Sequence, residues 1–373
     1  VKGGQRVFSW PWIVIGLLAG LPSVGLALVL AYRTIQAQRI AQQQQHCERY
    51  RRQIEEIQER LTDAQSLEDV LPLAQLFKAT TRGEVAALKN VIIETYGTAP
   101  EPTRKALAFL YESLGFIADD LHIIHNGTLE ERSRAAFRLG RLRCLSALDA
   151  LERLSKHSST ELRLVAIWAL TEIADPRCVK PVVIALSEAN GWQLMQAANR
   201  LLGMHRDLTL PLMELLDSAG GVRERRERIM MTVLDLITDF GTEAQKYVNP
   251  SAGRQAALRL LESESVNLRT RAIRALTALG VETSQETEGI LRALRDKSWE
   301  VRAVAARAIG ELQILAGLSG LQEAVSDKAW WVRHNAAHAL KKLGNEGEIV
   351  LLQLLQSDDR FTRETVTQVL QSG

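Results

Sequence analysis

Few features of this chain of 373 residues point to chemistry. There are three cysteines, Cys47, Cys144 and Cys178, far apart and with no CxxC pair, which argues against a disulfide framework or a cysteine-rich zinc site. Lys and Arg nearly balance Asp and Glu, leaving +2, so no overall field favours nucleic acid or anionic lipid. Aromatic residues make up 5% and prolines number nine, a composition that favours helix throughout. No P-loop, GxGxxG or GxSxG is present, so nucleotide and acyl-transfer chemistry have no motif to stand on. His334 and His338 are four apart on one helix face, but the run HNAAH lacks the Glu of HExxH and has no third ligand nearby. No metal, catalytic residue or cofactor is expected. Leu, Ala, Arg and Glu dominate instead, and these residues lose little on entering a helix.

They are also arranged periodically. Asp296-Lys-Ser-Trp299-Glu-Val301-Arg302 is followed by Ala305, Ala306, Ala308, Ile309 and Leu312. One repeat later, Asp327-Lys-Ala-Trp330-Trp331-Val332-Arg333 is followed by Ala336, Ala337, Ala339, Leu340 and Leu343. Counted from the arginine, apolar residues fall at +3, +4, +6, +7 and +10, one face of a closely packed helix. The same template starts at Arg104, Arg132, Arg163 and Arg269 and weakens at Arg363, with two degenerate units between Leu194 and Leu236. Short Leu-rich helices precede many of these. The spacing predicts an all-α, right-handed α-solenoid of about eight helix pairs over residues 66–373.

One long apolar run stands apart from the array. Residues 10–32 carry no charge over 23 positions, a helix of about 34 Å against a hydrocarbon core of about 30 Å. Trp10, Trp12 and Tyr32 sit at its ends, as interfacial aromatics do. The run is long for a cleaved signal peptide and lacks a small-x-small site before the charged continuation. It is therefore expected to be a transmembrane helix following a nine-residue flank. Two basic residues precede it, and Arg33, Arg39, Arg49, Arg51 and Arg52 follow, which places the long C-terminal part in the cytoplasm. Gly16 and Gly20 form a GxxxG pattern that would let two anchors approach.

Residues 33–65 join anchor to array as a polar, Gln-rich helical stalk. Ile40, Cys47, Ile54 and Leu61 recur every seven residues, with Tyr50, Ile57 and Ala64 three places after the last three. Such a seam fits a coiled coil pairing two copies, and equally an amphipathic helix laid on the first repeat.

The run D-x-x-W-x-V-R-x-x-A-A-x-A-[LI] resembles the HEAT-repeat superfamily, and in particular its bacterial short-repeat, phycobilisome-lyase-like branch. The resemblance is strong over residues 255–344 and weaker elsewhere. It implies stacked helix pairs, and says little about activity, because the fold hosts scaffolds and enzymes alike. The first expectation is a non-catalytic, membrane-tethered scaffold binding a protein partner, plausibly an integral membrane complex. The alternative is a bilin-lyase-like or other accessory enzyme with a cofactor in its groove. Nucleic-acid binding is disfavoured by charge.

Repeated residues read as stacking devices: Asp296 and Asp327 as caps of the second helix, Arg302 and Arg333 as bonded to the neighbouring repeat's turn. Trp299 and Trp330 are expected to pack in that turn. Candidate partner contacts lie at the fifth position after each arginine, which falls outside the buried set. These are Phe109, Phe137 and Trp168, then Arg274, Arg307 and His338. Trp331 and His334 join them because the two best copies differ there.

Overall fold

The computed structural model describes residues 10–64, 66–188, 201, 207–218, 223–239 and 244–371; for residues 10–27, 67, 218, 244 and 245 it describes the helical backbone alone. Every regular element among the described residues is helical. The chain divides into two compact units, Val1–Asp120 and Leu121–Gly373.

The first unit contains α1 (Trp10–Glu56), α2 (Gln58–Asp63), α3 (Leu67–Ala74), α4 (Arg82–Thr98), α5 (Glu101–Ser113) and the start of α6 (Phe116–Asn126). Ser66 and Thr81 each accept from the backbone N–H three residues on, where Asp69 and Glu84 reach back, so α3 and α4 start at full capping boxes. The lower part of α1 packs on α4, and α2 packs on α5. Tyr50, Ile54, Ile57, Leu61 and Ala64 are consequently buried against this chain's own helices. Of the two arrangements the seam allows, the amphipathic helix laid on the first helices is the one seen from Tyr50 onward, against α4 and α5. Ile40 is exposed and Cys47 half-buried, so only the upper stalk keeps an open seam.

Among the described residues no helix is long and apolar enough to cross a membrane. Most of the expected span lies outside the residues whose side chains are described. The part that is described, Leu28, Val29, Leu30 and Tyr32 on α1, is exposed.

The second unit continues through α7 (Leu129–Arg141), α8 (Leu148–Leu154), α9 (Thr160–Ile173), α10 (Val179–Leu186), α11 (Thr209–Ser218), α12 (Arg223–Asp239), α13 (Ala244–Tyr247) and α14 (Pro250–Leu260). It ends with α15 (Val266–Leu279), α16 (Ser284–Ala293), α17 (Trp299–Glu311), α18 (Leu318–Ala324), α19 (Trp330–Lys342), α20 (Asn345–Leu354) and α21 (Arg360–Gln371). The arginine-anchored helices stack on one another, α7 on α9, α12 on α15, α15 on α17, α17 on α19 and α19 on α21. The template positions are the core: Ala305, Ala306, Ala308 and Ile309, then Ala336, Ala337, Ala339, Leu340 and Leu343, are all buried.

Two details set the stacking distance and the turn. Gly140 and Gly310 stand eight residues after their arginines. A Cβ there would lie 2.5 Å from the Ala169 Cα and 2.7 Å from the Ala339 Cα, so backbones meet where a side chain has no room. The position eleven after the arginine is left-handed in six repeats: Gly115, Arg143, Ala174, Gly280, Gln313 and Gly344 all have φ between 54° and 75°. After α7 the Cys144 N–H donates to the Leu139 carbonyl and the Arg143 N–H to Gly140, a Schellman closure that turns the chain into the next pair.

Candidate functional site

The charged signature of the repeats is used internally. Arg269, Arg302, Arg333 and Arg363 each donate through one nitrogen to the carbonyls five and six residues back, as Arg302 does to Lys297 and Asp296. Arg163 does the same to Ser158 and His157, and Arg104 and Arg132 reach the carbonyl five back. The arginine thus ties its own turn, and at Arg269 and Arg302 it also reaches a carboxylate in the neighbouring repeat's turn. Arg269 grips Asp296 with two bonds of 2.8 Å, and Arg302 grips Asp327 at 2.7 and 2.9 Å. Each Asp also braces the turn that leads into the helix, accepting from Ser298 N–H or Ala329 N–H at 2.8 Å. Burial pushes both carboxyls up, but the arginine bonds, the backbone N–H and the guanidinium charge outweigh it and leave them below their ordinary value. These four residues, Arg269, Asp296, Arg302 and Asp327, are stacking devices.

Trp299 and Trp330 are not. They are 41% and 44% exposed. Standing three before the arginine, they share a helix stripe with the positions one and five after it, since i, i+4 and i+8 align. On α19 the stripe is continuous: Trp330 stacks on His334 with centroids 4.7 Å apart and 19° between planes, and His334 meets His338 at 4.4 Å. Trp331, 54% exposed, sets its ring edge-on to Trp330 at 4.7 Å. On α7 and α9 the same stripe carries Leu129, Phe137 and Leu164, all exposed, and half-buried Trp168. Phe137 lies flat on Trp168, centroids 4.6 Å apart and 12° between planes. Phe109 is half-buried on α5 of the first unit. The structure therefore joins the candidates within neighbouring helices and adds a position that sequence reasoning missed. The signal was available: Leu129, Trp299 and Trp330 share one template register.

In the later repeats the stripe borders two clefts. A cleft of about 880 Å³ is lined by Thr270, Arg274, Glu300, Arg307, Glu311 and Asn335, among others. A smaller one of about 290 Å³ lies between α17 and α19, lined by Arg307, His334, Asn335, His338, Ala339 and Lys342. The two share Arg307 and Asn335. Burial and the positive charge of His334, Lys341 and Lys342 hold His338 below its ordinary value. The described residues contain no group of three or more His, Cys, Asp or Glu that could hold a metal. Cys144 and Cys178 are buried, and burial raises the Cys178 thiol to about 11, far from a reactive thiolate.

Residues 287–371 match the family model described as HEAT repeats, so the C-terminal stretch carries repeats of that kind. No curated protein matches the chain. Among solved structures, a computationally designed armadillo repeat protein for modular peptide recognition is 19% identical, with 61% of this chain and 100% of that chain covered and a TM-score of 0.34. A designed armadillo repeat protein in complex with the peptide (KR)4 is also 19% identical, covering 68% and 98% at a TM-score of 0.33. Kap121p bound to Nup53p is 15% identical, covering 83% of this chain and 34% of that one at a TM-score of 0.39. At scores this low the fold rests on this chain's own helix packing. None of these matches lends support to the phycobilisome-lyase-like branch.

Proposed function

We infer that this chain is a non-catalytic scaffold, tethered to a membrane by its N-terminal helix, that holds a protein partner on the exposed stripe of its arginine-anchored helices. One observation carries the reading. Large apolar side chains recur along a single helix stripe, Leu129, Phe137, Leu164, Trp299 and Trp330, and remain exposed although the same helices bury their Ala and Ile faces. Exposed aromatics at register positions favour contact with another protein, where aromatic anchors contribute most of the binding energy.

The tether is supported by the uncharged run over residues 10–32, by the unbroken helix Trp10–Glu56 around it, and by exposed Leu28, Val29, Leu30 and Tyr32. The basic residues after the run favour a cytoplasmic array. An integral membrane complex is the class of partner that such a tether keeps within reach.

A photo-crosslinking amino acid at position 137 or 331 in full-length protein, irradiated in native membranes, tests the stripe. A discrete adduct that F137A/W168A or W299A/W330A reduces severalfold supports it; adducts unaffected by either variant count against it. Alkaline washing tests the tether: wild type stays with the membrane and L28R/L30R is released, whereas wild type in the wash overturns it. A soluble fragment must begin near Ala41, because a cut at residue 65 would strip Tyr50, Ile54 and Leu61 from the first unit's core.

A further inference from the structure

The smaller cleft has a chemistry that the rest of the stripe lacks. Its lining contains two permanent cations, Arg307 and Lys342, two imidazoles and the Asn335 amide, and no carboxylate. Lys342 makes no ion pair among the described residues. Arg307 gives Nε to Glu311 at 2.7 Å, but Glu311 faces the larger cleft and leaves the other guanidinium edge unclaimed. His334 Nδ1 is buried without a hydrogen-bond partner, although its ring is clamped between Trp330 and His338. The Asn335 amide is already committed, donating 2.9 Å to the Ala303 carbonyl of the helix beside it. It therefore fixes the cleft wall and is not a ligand.

We propose that the cleft between α17 and α19 is the specificity pocket of the scaffold, taking an acidic side chain of a partner peptide whose neighbouring apolar residue lies against Trp330 and Trp331. This rests on the reading of the stripe as a protein-binding face and adds the chemistry of what is bound. A carboxylate fits on two grounds: charge complementarity with Arg307 and Lys342, and an aromatic wall one helical turn away. The partner is thus an acidic segment with an apolar residue beside the acid.

The test uses full-length protein in detergent and two fluorescein-labelled peptides, a tryptophan flanked by glutamates and the same peptide with lysines. Wild type is expected to bind the Glu peptide at least about fivefold tighter than the Lys peptide, with the difference shrinking as salt is raised. R307A/K342A should remove that preference, and R307E/K342E should reverse it; both replaced residues are on the helix surface, and unchanged circular dichroism confirms the fold. No preference in wild type, or a preference that survives R307E/K342E, overturns the pocket. The membrane crosslinking run in parallel separates the two readings. If R307E/K342E keeps the adduct that W299A/W330A removes, the pocket assignment fails and the scaffold stands. If W299A/W330A also keeps it, the stripe itself is wrong.

Discussion

The early repeats around α7 and α9 and the late repeats from α15 to α19 obey the same template but are fastened differently. In both, the arginine ties the carbonyls of its own turn, so that bond is the common device. In both, the residue six before the arginine accepts the backbone N–H two residues on: His157 Nδ1 from Ser159 at 3.0 Å, Asp296 from Ser298 at 2.8 Å. Only the carboxylate performs a second task, reaching the arginine of the preceding repeat. A ladder of ion pairs therefore runs Arg269–Asp296 and Arg302–Asp327, while Arg132 has no such partner. It stops where Ser357 replaces Asp, and there Arg333 Nε is buried without a partner. A repeated charged motif can thus be entirely structural, and its variation along the array shows which part is local and which joins neighbours.

The comparison breaks most sharply where backbones touch. Gly310→Ala is expected to cost about 2–3 kcal/mol, since its Cβ would meet the Ala339 backbone, and Gly140→Ala a similar amount in the early pair. Equal midpoint shifts in urea would show that close approach is common to both regions. Asp327→Ala should cost about 2–3 kcal/mol, because it removes the carboxylate from the part-buried Arg302 guanidinium and the acceptor of the Ala329 N–H. His157→Ala, at the same register, removes only the acceptor of the Ser159 N–H and should cost about 1 kcal/mol.

The ladder also predicts a pH dependence. The folded carboxyls of Asp296 and Asp327 lie below the value of about 3.9 that they take unfolded. Their contribution is therefore complete above that value and is lost as pH falls through it toward the folded pKa. Acid unfolding of D296N/D327N should be shallower than that of wild type over that window, and an unchanged slope would remove the ladder from the account.

Two smaller substitutions extend the comparison in the stabilising direction. Ser357→Asp should add the missing rung and gain about 0.5–1 kcal/mol, limited by the like charges of Asp358 and Asp359 beside it. Ala174→Gly should gain about 0.5–1 kcal/mol, because Ala174 sits at φ 57° where three other repeats place glycine. Thermal melts resolve both.

Much of this architecture was legible in the chain. The +3, +4, +6, +7 spacing names the buried Ala and Ile face because helix geometry is local and every repeat must cover its neighbour in the same way. The left-handed position eleven after the arginine was legible only in part: Gly280 and Gly344 advertise it, and Arg143, Ala174 and Gln313 conceal it. The exposed aromatics were harder. Trp299 and Trp330 look like core residues, and nothing in a sequence says whether the element that would cover them exists. The seam of Tyr50, Ile54 and Leu61 posed the opposite problem, since it fits a second copy as well as it fits α4.

By itself, then, the sequence determined that this chain is a helical repeat array carrying an apolar N-terminal run, because helical period and composition are properties of neighbouring residues. Only the tertiary structure decided which apolar faces are already covered, which arginine meets which aspartate, and that Arg307, His334, His338 and Lys342 converge on one cleft. Those outcomes depend on helices about thirty residues apart meeting side by side, at a spacing set by a missing Cβ at Gly310 and a carboxylate at Asp327.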